Sequence, residues 1–160
     1  MSKNPIPILF ILCGLILTGA IFFTNFLDDQ ELVLIIRDQE TKQIYVSKSV
    51  EIEGVIETSW IHSVEKTPWH EKWRITESGE FSLIETRFQS FGAGVPHQTE
   101  GNVRIVDGYT VMTGDSQILP VYRWIHSQNA QFKLMYNDST ILATEAVPHH
   151  SKLEMFIKKR

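Results

Sequence analysis

After residue 28 the apolar residues of this chain never hold a helical period over three turns. The runs they form instead are short, rich in β-branched and aromatic residues, and closed by turn signals. Residues 32–36 read Leu-Val-Leu-Ile-Ile and end at Asp38-Gln39-Glu40-Thr41-Lys42, a turn. Further strands are expected over residues 43–47, 54–63, 70–76, 81–88, 103–106, 109–112, 118–126, 132–136, 140–146 and 153–157. Glu77-Ser78-Gly79-Glu80 reads as a hairpin loop, and Asn137-Asp138-Ser139 as another connection. Asp107-Gly108 is a strong two-residue hairpin signal, because both positions must take φ > 0. The fold class implied is all-β: a sandwich or partly open barrel of about ten short strands.

The strands follow a different kind of segment. Residues 6–27 carry no charge, and a helix of that length rises enough to cross roughly 30 Å of hydrocarbon. Lys3 precedes the run, and Asp28, Asp29 and Glu31 follow it. Positive charge tends to stay inside. The expected organisation is a cytoplasmic N-terminus over residues 1–5, a transmembrane helix over 6–27 and an extracytoplasmic β domain over 28–160, held in the cytoplasmic membrane. A signal peptide cleaved at Thr18-Gly19-Ala20 is the rival reading. Ile21-Phe22-Phe23 prolongs the apolar run past that point and favours retention.

Charge and cysteine content exclude some classes. The net charge is −4, and the only basic block is Lys158-Lys159-Arg160. Nucleic acid is therefore not an expected partner, since phosphate binding needs a clustered basic surface. The single cysteine, Cys13, allows neither an intrachain disulfide nor a multi-cysteine zinc site.

The chemistry-bearing residues gather between Trp60 and Trp73. That stretch holds three of the four tryptophans, with His62, Ser63, Glu65, His70 and Glu71 among them. Thr67-Pro68 interrupts it, so two strands are expected to meet there with polar groups collected at the junction. Trp124-Ile125-His126-Ser127 repeats Trp60-Ile61-His62-Ser63 letter for letter, which suggests two equivalent strands placing His62 and His126 alike. Two imidazoles and a carboxylate suffice for a divalent metal, so His62, Glu71 and His126 are candidate ligands, and a metal-dependent enzyme using His62, Glu65, Glu71 and His126 is the alternative function. The plainer reading has His62 and Ser63 capping a strand end and Glu65 closing the turn, with no cofactor. Ser63 lies in no Gly-x-Ser-x-Gly elbow, which counts against a hydrolase.

Phe91-Gly92-Ala93-Gly94-Val95-Pro96 is the second motif. Gly92 and Gly94 permit a backbone nest able to hold an anion; a tight bend ended by proline is the alternative. His149 and His150 read as solvated imidazoles in a turn. Trp60, Trp73 and Trp124 are expected in the core, and Trp69, beside the proline, on the surface.

The pattern His62-Ser63-Val64-Glu65, Thr67-Pro68, Glu71, then Phe88 and Ser90 to Pro96, resembles the bacterial family called domain of unknown function 1850. The Trp-Ile-His-Ser-x-Asn stretch at 124–129 is similar to it as well, and the likeness covers roughly residues 32–158. The resemblance implies a small protein with one N-terminal membrane segment. It also implies association with TRAP-type secondary transporters of the TAXI class, as an accessory or binding module for organic anions. The expected partners are then the permease or its substrate-binding protein. No catalytic activity is implied, and the motif residues carry over as a candidate binding site only.

Overall fold

The computed structural model describes residues 31–89, 101–114 and 117–160. The expected transmembrane helix over 6–27 and the glycines Gly92 and Gly94 lie outside the described residues. Among the described residues no helix is long and apolar enough to cross a membrane.

Twelve strands follow one another there: β1 (Leu32–Asp38), β2 (Ile44–Val50), β3 (Val55–Ile61), β4 (Pro68–Ile75), β5 (Phe81–Phe88), β6 (Asn102–Val106), β7 (Tyr109–Thr113), β8 (Ile118–Leu119), β9 (Tyr122–Ile125), β10 (Lys133–Tyr136), β11 (Ser139–Leu142) and β12 (Lys152–Lys159). All pairings are antiparallel. The smaller sheet runs β2-β1-β12-β9, and the larger runs β11-β10-β3-β4-β5-β7-β6 with β8 beside β5. The all-β expectation holds, with two separate sheets that make a sandwich and not a closed barrel. Leu34 and Ile36 from β1 and Leu153 and Met155 from β12 pack in one core with Ile56, Trp73 and Ile75 from the larger sheet.

Turn chemistry sets much of this. Asp38 Oδ1 accepts from the backbone N–H groups of Glu40 (2.8 Å) and Thr41 (2.7 Å), which closes the β1–β2 turn. Those two bonds hold the Asp38 carboxyl below its ordinary value. Asp107 and Gly108 take φ of 50° and 76°, the two positive angles that the hairpin requires. Asn137 and Asp138 do the same at 43° and 62°.

Two expectations are corrected, and one strand carries an irregularity. The run 118–126 is not one strand: β8 pairs with β5 in the larger sheet and β9 with β12 in the smaller. Pro120 lies between them, and a residue without an N–H cannot continue a ladder, so the chain changes sheets there. The run 140–146 ends as a strand at Leu142 and continues as a 3₁₀ turn, Thr144–Ala146. β5 spans the expected residues, yet its inward positions shift from Phe81 and Leu83 to Thr86 and Phe88. A register irregularity opposite Lys72 and Trp73 absorbs the extra residue, a β-bulge next to Glu71.

Gly54 is required for close approach. A Cβ there would meet Tyr136 Oη at 2.6 Å and the Glu51 carbonyl at 2.9 Å. Tyr136 Oη accepts from Glu51 N at 2.9 Å, so the ring cannot yield without losing that bond. Gly54→Ala is expected to cost about 1–3 kcal/mol, the range for overpacking. A melting temperature within one degree of wild type would contradict this.

Candidate functional site

The expected cluster is split by the period of the strands. β3 and β4 pair Trp60 with Trp69 and Thr58 with Glu71, and loop 62–67 joins them. Within that loop His62 organises the backbone. Its Nδ1 accepts from Glu65 N (3.2 Å), its N–H donates to Thr67 O (2.9 Å) and its carbonyl accepts from Lys66 N (3.0 Å). Ser63 is exposed and Glu65 half-buried. His70 and Glu71 are neighbours in sequence, so their side chains point to opposite faces. His70 lies on the outer face with Nδ1 3.1 Å from Glu57 Oε1. That hydrogen bond is the main reason the Glu57 carboxyl sits below its ordinary value. Glu71 points inward.

The repeated tetrapeptide does not place its histidines alike. Tyr122, Trp124 and His126 alternate inward, and His126 is fully buried, with Nε2 2.8 Å from the Thr144 carbonyl. Its backbone is tied on both sides, N–H to Ser151 O and carbonyl to His150 N. Among the described residues, no three or more His, Cys, Asp or Glu side chains gather as a metal site. His62→Ala is expected to cost about 1 kcal/mol, the loss of one hydrogen bond. His126→Ala should cost about 3 kcal/mol, a core truncation. Chemical unfolding of both variants checks this, and equal losses would contradict the assignment. His149 also serves a turn: its Nδ1 accepts from Gln128 N at 3.1 Å.

Glu71 has the most unusual surroundings of these groups. Trp69 Nε1 donates to its Oε1 at 3.3 Å. Trp73 Nε1 and Tyr122 Oη both donate to its Oε2 at 3.2 Å. Burial pushes the Glu71 carboxyl above its ordinary value, and these donors pull it only part of the way back. Burial and the adjacent Glu71 charge push the Tyr122 phenol up as well. Thr58 Oγ1 is buried without a hydrogen bond of full geometry among the described residues. It still lies near enough to Glu71 and Tyr122 to favour their charged forms.

The aromatic residues continue outward from this carboxylate. Phe88 stacks on Trp69 with ring centres 4.8 Å apart, and Trp69 on Trp60 at 5.8 Å. Trp60 and Trp124 both stack on Phe132, at 6.1 Å and 5.1 Å. Tyr122 then links Trp124 (5.8 Å) to Trp73 (5.4 Å). The wall so formed joins both sheets. Trp69 is buried, contrary to its expected surface position, because Pro68 already belongs to β4 and Trp69 faces Phe88 and Met112. Trp73 is buried as expected. Trp60 and Trp124 are only partly buried. They line an open cavity of about 190 Å³ with Tyr122, Phe132, Ser127 and Ala130. The Trp124 indole N–H is buried and has no partner among the described residues, a state that costs roughly 1–3 kcal/mol. The larger sheet's outer face holds a hollow of about 550 Å³ lined by Glu57, Lys72, Glu85 and Asp138 over Ile84 and Met135. Its charges largely answer one another through His70–Glu57 and Lys72–Glu85 contacts.

Glu71 is legible in the sequence through its place between tryptophans. Tyr122 and Phe132 are not, and Trp60 and Trp124, expected in the core, stand at its open edge. The shared Trp-Ile-His-Ser tetrapeptide was the available signal, since both tryptophans end strands at the same opening.

Fold and site together define an antiparallel β sandwich with a carboxylate-backed aromatic cavity between its sheets. The chain belongs to the family described as domain of unknown function (DUF1850), which matches residues 56–142. Neither a curated protein nor a solved structure matches it.

Proposed function

We propose that this domain is a membrane-anchored binding module that works outside the cytoplasm beside a TAXI-class TRAP transporter for organic anions. The observation that carries the binding role is the open cavity of about 190 Å³ walled by Trp60, Tyr122, Trp124 and Phe132. Concave, mostly aromatic sites with few polar groups are built to hold ligands. Its walls offer rings and small residues, a lining suited to holding a molecule and not to moving protons. Family membership supports the transporter context through the resemblance stated above, and the uncharged run 6–27 supports the anchor.

Co-purification of the full chain from native membranes tests the partner. Recovery of a TAXI-type permease or its substrate-binding protein is the expected result; their absence from a preparation that retains other membrane complexes would overturn it. Topology has its own test. A cysteine at Asp138, exposed at a hairpin tip, in a Cys13→Ser background should react with an impermeant thiol reagent on cells with an intact cytoplasmic membrane. Labelling only after that membrane is broken would refute the orientation.

A further inference from the structure

The larger sheet ends in an edge that its own sequence leaves open. β6 pairs with β7 on one side and, among the described residues, with no strand on the other. Asp107 and Gly108 both take positive φ, so a two-residue hairpin joins β6 to β7, and its closing pair, Val106 and Tyr109, is hydrogen-bonded. Bonded and non-bonded pairs alternate along an antiparallel ladder. Arg104 and Asn102 therefore bond to β7 as well, and the N–H and C=O groups of Val103 and Ile105 point away from it. Proteins ordinarily blunt such an edge with a lysine, a proline, a bulge or a very short strand. β2 carries Lys48 and a register irregularity, β11 an irregularity within four residues, and β9 is four residues long. β6 reads Asn-Val-Arg-Ile-Val over five residues, keeps an unbroken register and is exposed throughout.

The two faces of β6 differ, and each specifies its neighbour. Val103 and Ile105 share a face with Met112 and Thr110, beside the cluster of Trp69, Phe88 and Met112. They are 55% and 74% exposed, although they border that core. Arg104 lies on the opposite face. Its guanidinium reaches Glu85 only at 4.0 Å, and Lys72 engages the same carboxylate at 3.8 Å. Two strands further in, across Val111 in the same row, stands Arg87. Its guanidinium lies over the Tyr109 ring at 4.0 Å, and its buried Nε has no hydrogen-bond partner among the described residues. Next to β6, Arg104 and Arg87 thus face one carboxylate that a lysine also claims.

We propose that β6 is a docking edge that receives an extended segment of a partner protein as an added strand, with apolar residues opposite Val103 and Ile105 and an acidic residue opposite Arg104. Backbone bonds to Val103 and Ile105 supply the affinity, and the alternation of the incoming side chains supplies the specificity. A second copy of this chain fits the edge less well. The symmetric antiparallel pairing that uses all four outward groups sets Val103 opposite Ile105 and Arg104 opposite its own counterpart, and like charges directly opposed are destabilising. The docking edge stands apart from the aromatic cavity and from the identity of the transporter.

The probe is the acetylated and amidated peptide Ser-Val-Glu-Val-Glu-Val-Ser, whose valines and glutamates alternate in either strand direction. It is titrated into the purified, nitrogen-15-labelled full chain while the backbone amides are followed. The Val103 and Ile105 amides are expected to shift saturably and to exchange more slowly with solvent. Methylating the valine nitrogens removes the donors aimed at β6 and should abolish binding; methylating the glutamate nitrogens, which point away, should not. The lysine counterpart, Ser-Val-Lys-Val-Lys-Val-Ser, should bind about ten-fold more weakly, and Arg104→Glu should reverse that order. Val103→Pro removes an N–H that the hairpin does not use, and should abolish binding while the far-ultraviolet dichroism stays that of wild type. Equal binding of the two methylated peptides would overturn strand addition, and equal binding of the glutamate and lysine peptides would overturn the acidic class. Protection of Val103 and Ile105 that grows with protein concentration in the absence of peptide would put a second copy in the partner's place. No saturable shift at these amides in the folded wild type would overturn the docking edge.

Discussion

Trp73→Ala is expected to destabilise the domain by about 3–5 kcal/mol, the range for truncating a buried aromatic side chain. Trp73 is only 2% exposed and lies in the principal core. It stands opposite Ile56 on β3 and Leu83 on β5, and its ring meets Tyr122 edge-on across the sandwich. Truncation therefore opens a cavity between the sheets and removes one Glu71 donor. Trp73→Phe keeps much of the packing and loses the N–H, so it should cost about half as much. Urea unfolding with an unchanged denaturant slope measures both. A loss below about 1 kcal/mol for Trp73→Ala would be incompatible with this packing.

Glu71→Ala is expected to cost about 3 kcal/mol, at the low end of roughly 1 kcal/mol for each of the three donors it abandons. Among the described residues Glu71 is the acceptor for all three donors, Trp69 Nε1, Trp73 Nε1 and Tyr122 Oη. Glu71→Gln retains an acceptor and should cost less, and it separates charge from hydrogen bonding. Burial raises the folded-state pKa of Glu71 above its ordinary 4.5. The folded chain then holds this proton more tightly than the unfolded chain does. The resulting stabilisation is complete below the ordinary pKa and is lost as pH rises through the raised one. Asp38, Glu57 and Glu154 are shifted down, so their contributions run the other way and are lost as pH falls. Subtracting the Glu71→Gln profile from that of wild type isolates the Glu71 part. Wild type should lose stability relative to Glu71→Gln as pH is raised from 4.5 through the raised pKa. A difference that does not vary with pH would place the carboxylate in water.

Strand content was legible because its signals are local. β-branched runs mark the strands, and Asp107-Gly108 and Asn137-Asp138 fix hairpins through positive φ, which few residue pairs tolerate. The change of sheet at Pro120 was not legible. A single proline inside an apolar run reads equally as a bend within one strand, and only the partner strands decide. The bulge in β5 was hidden for a related reason: one extra residue inverts the alternation, yet every residue involved is a plausible strand former. Within the site, the i±2 spacing of Glu71 to Trp73 was the available signal for its inward turn, and the surface position expected for Trp69 obscured it. The burial of Trp69 and partial exposure of Trp60 and Trp124 were not legible, because four strands face a larger sheet and the position of their edge decides which rings stay open. The same applies to His62 and His126. Identical neighbours gave one a loop and the other a core position, since the 3₁₀ turn that meets His126 lies far along the chain.

The inward Glu71 carboxylate, held by two indoles and a phenol behind an aromatic wall, is the centre of the site. Its most direct test is the pH dependence of the four indole N–H resonances in nitrogen-15-labelled protein. Trp69 and Trp73 should shift together with one shared midpoint above 4.5, and both shifts should vanish in Glu71→Gln. Trp124, whose N–H has no such partner, should not follow that transition. Independent midpoints for Trp69 and Trp73, or a shared one at or below 4.5, would contradict the buried carboxylate on which the site is built.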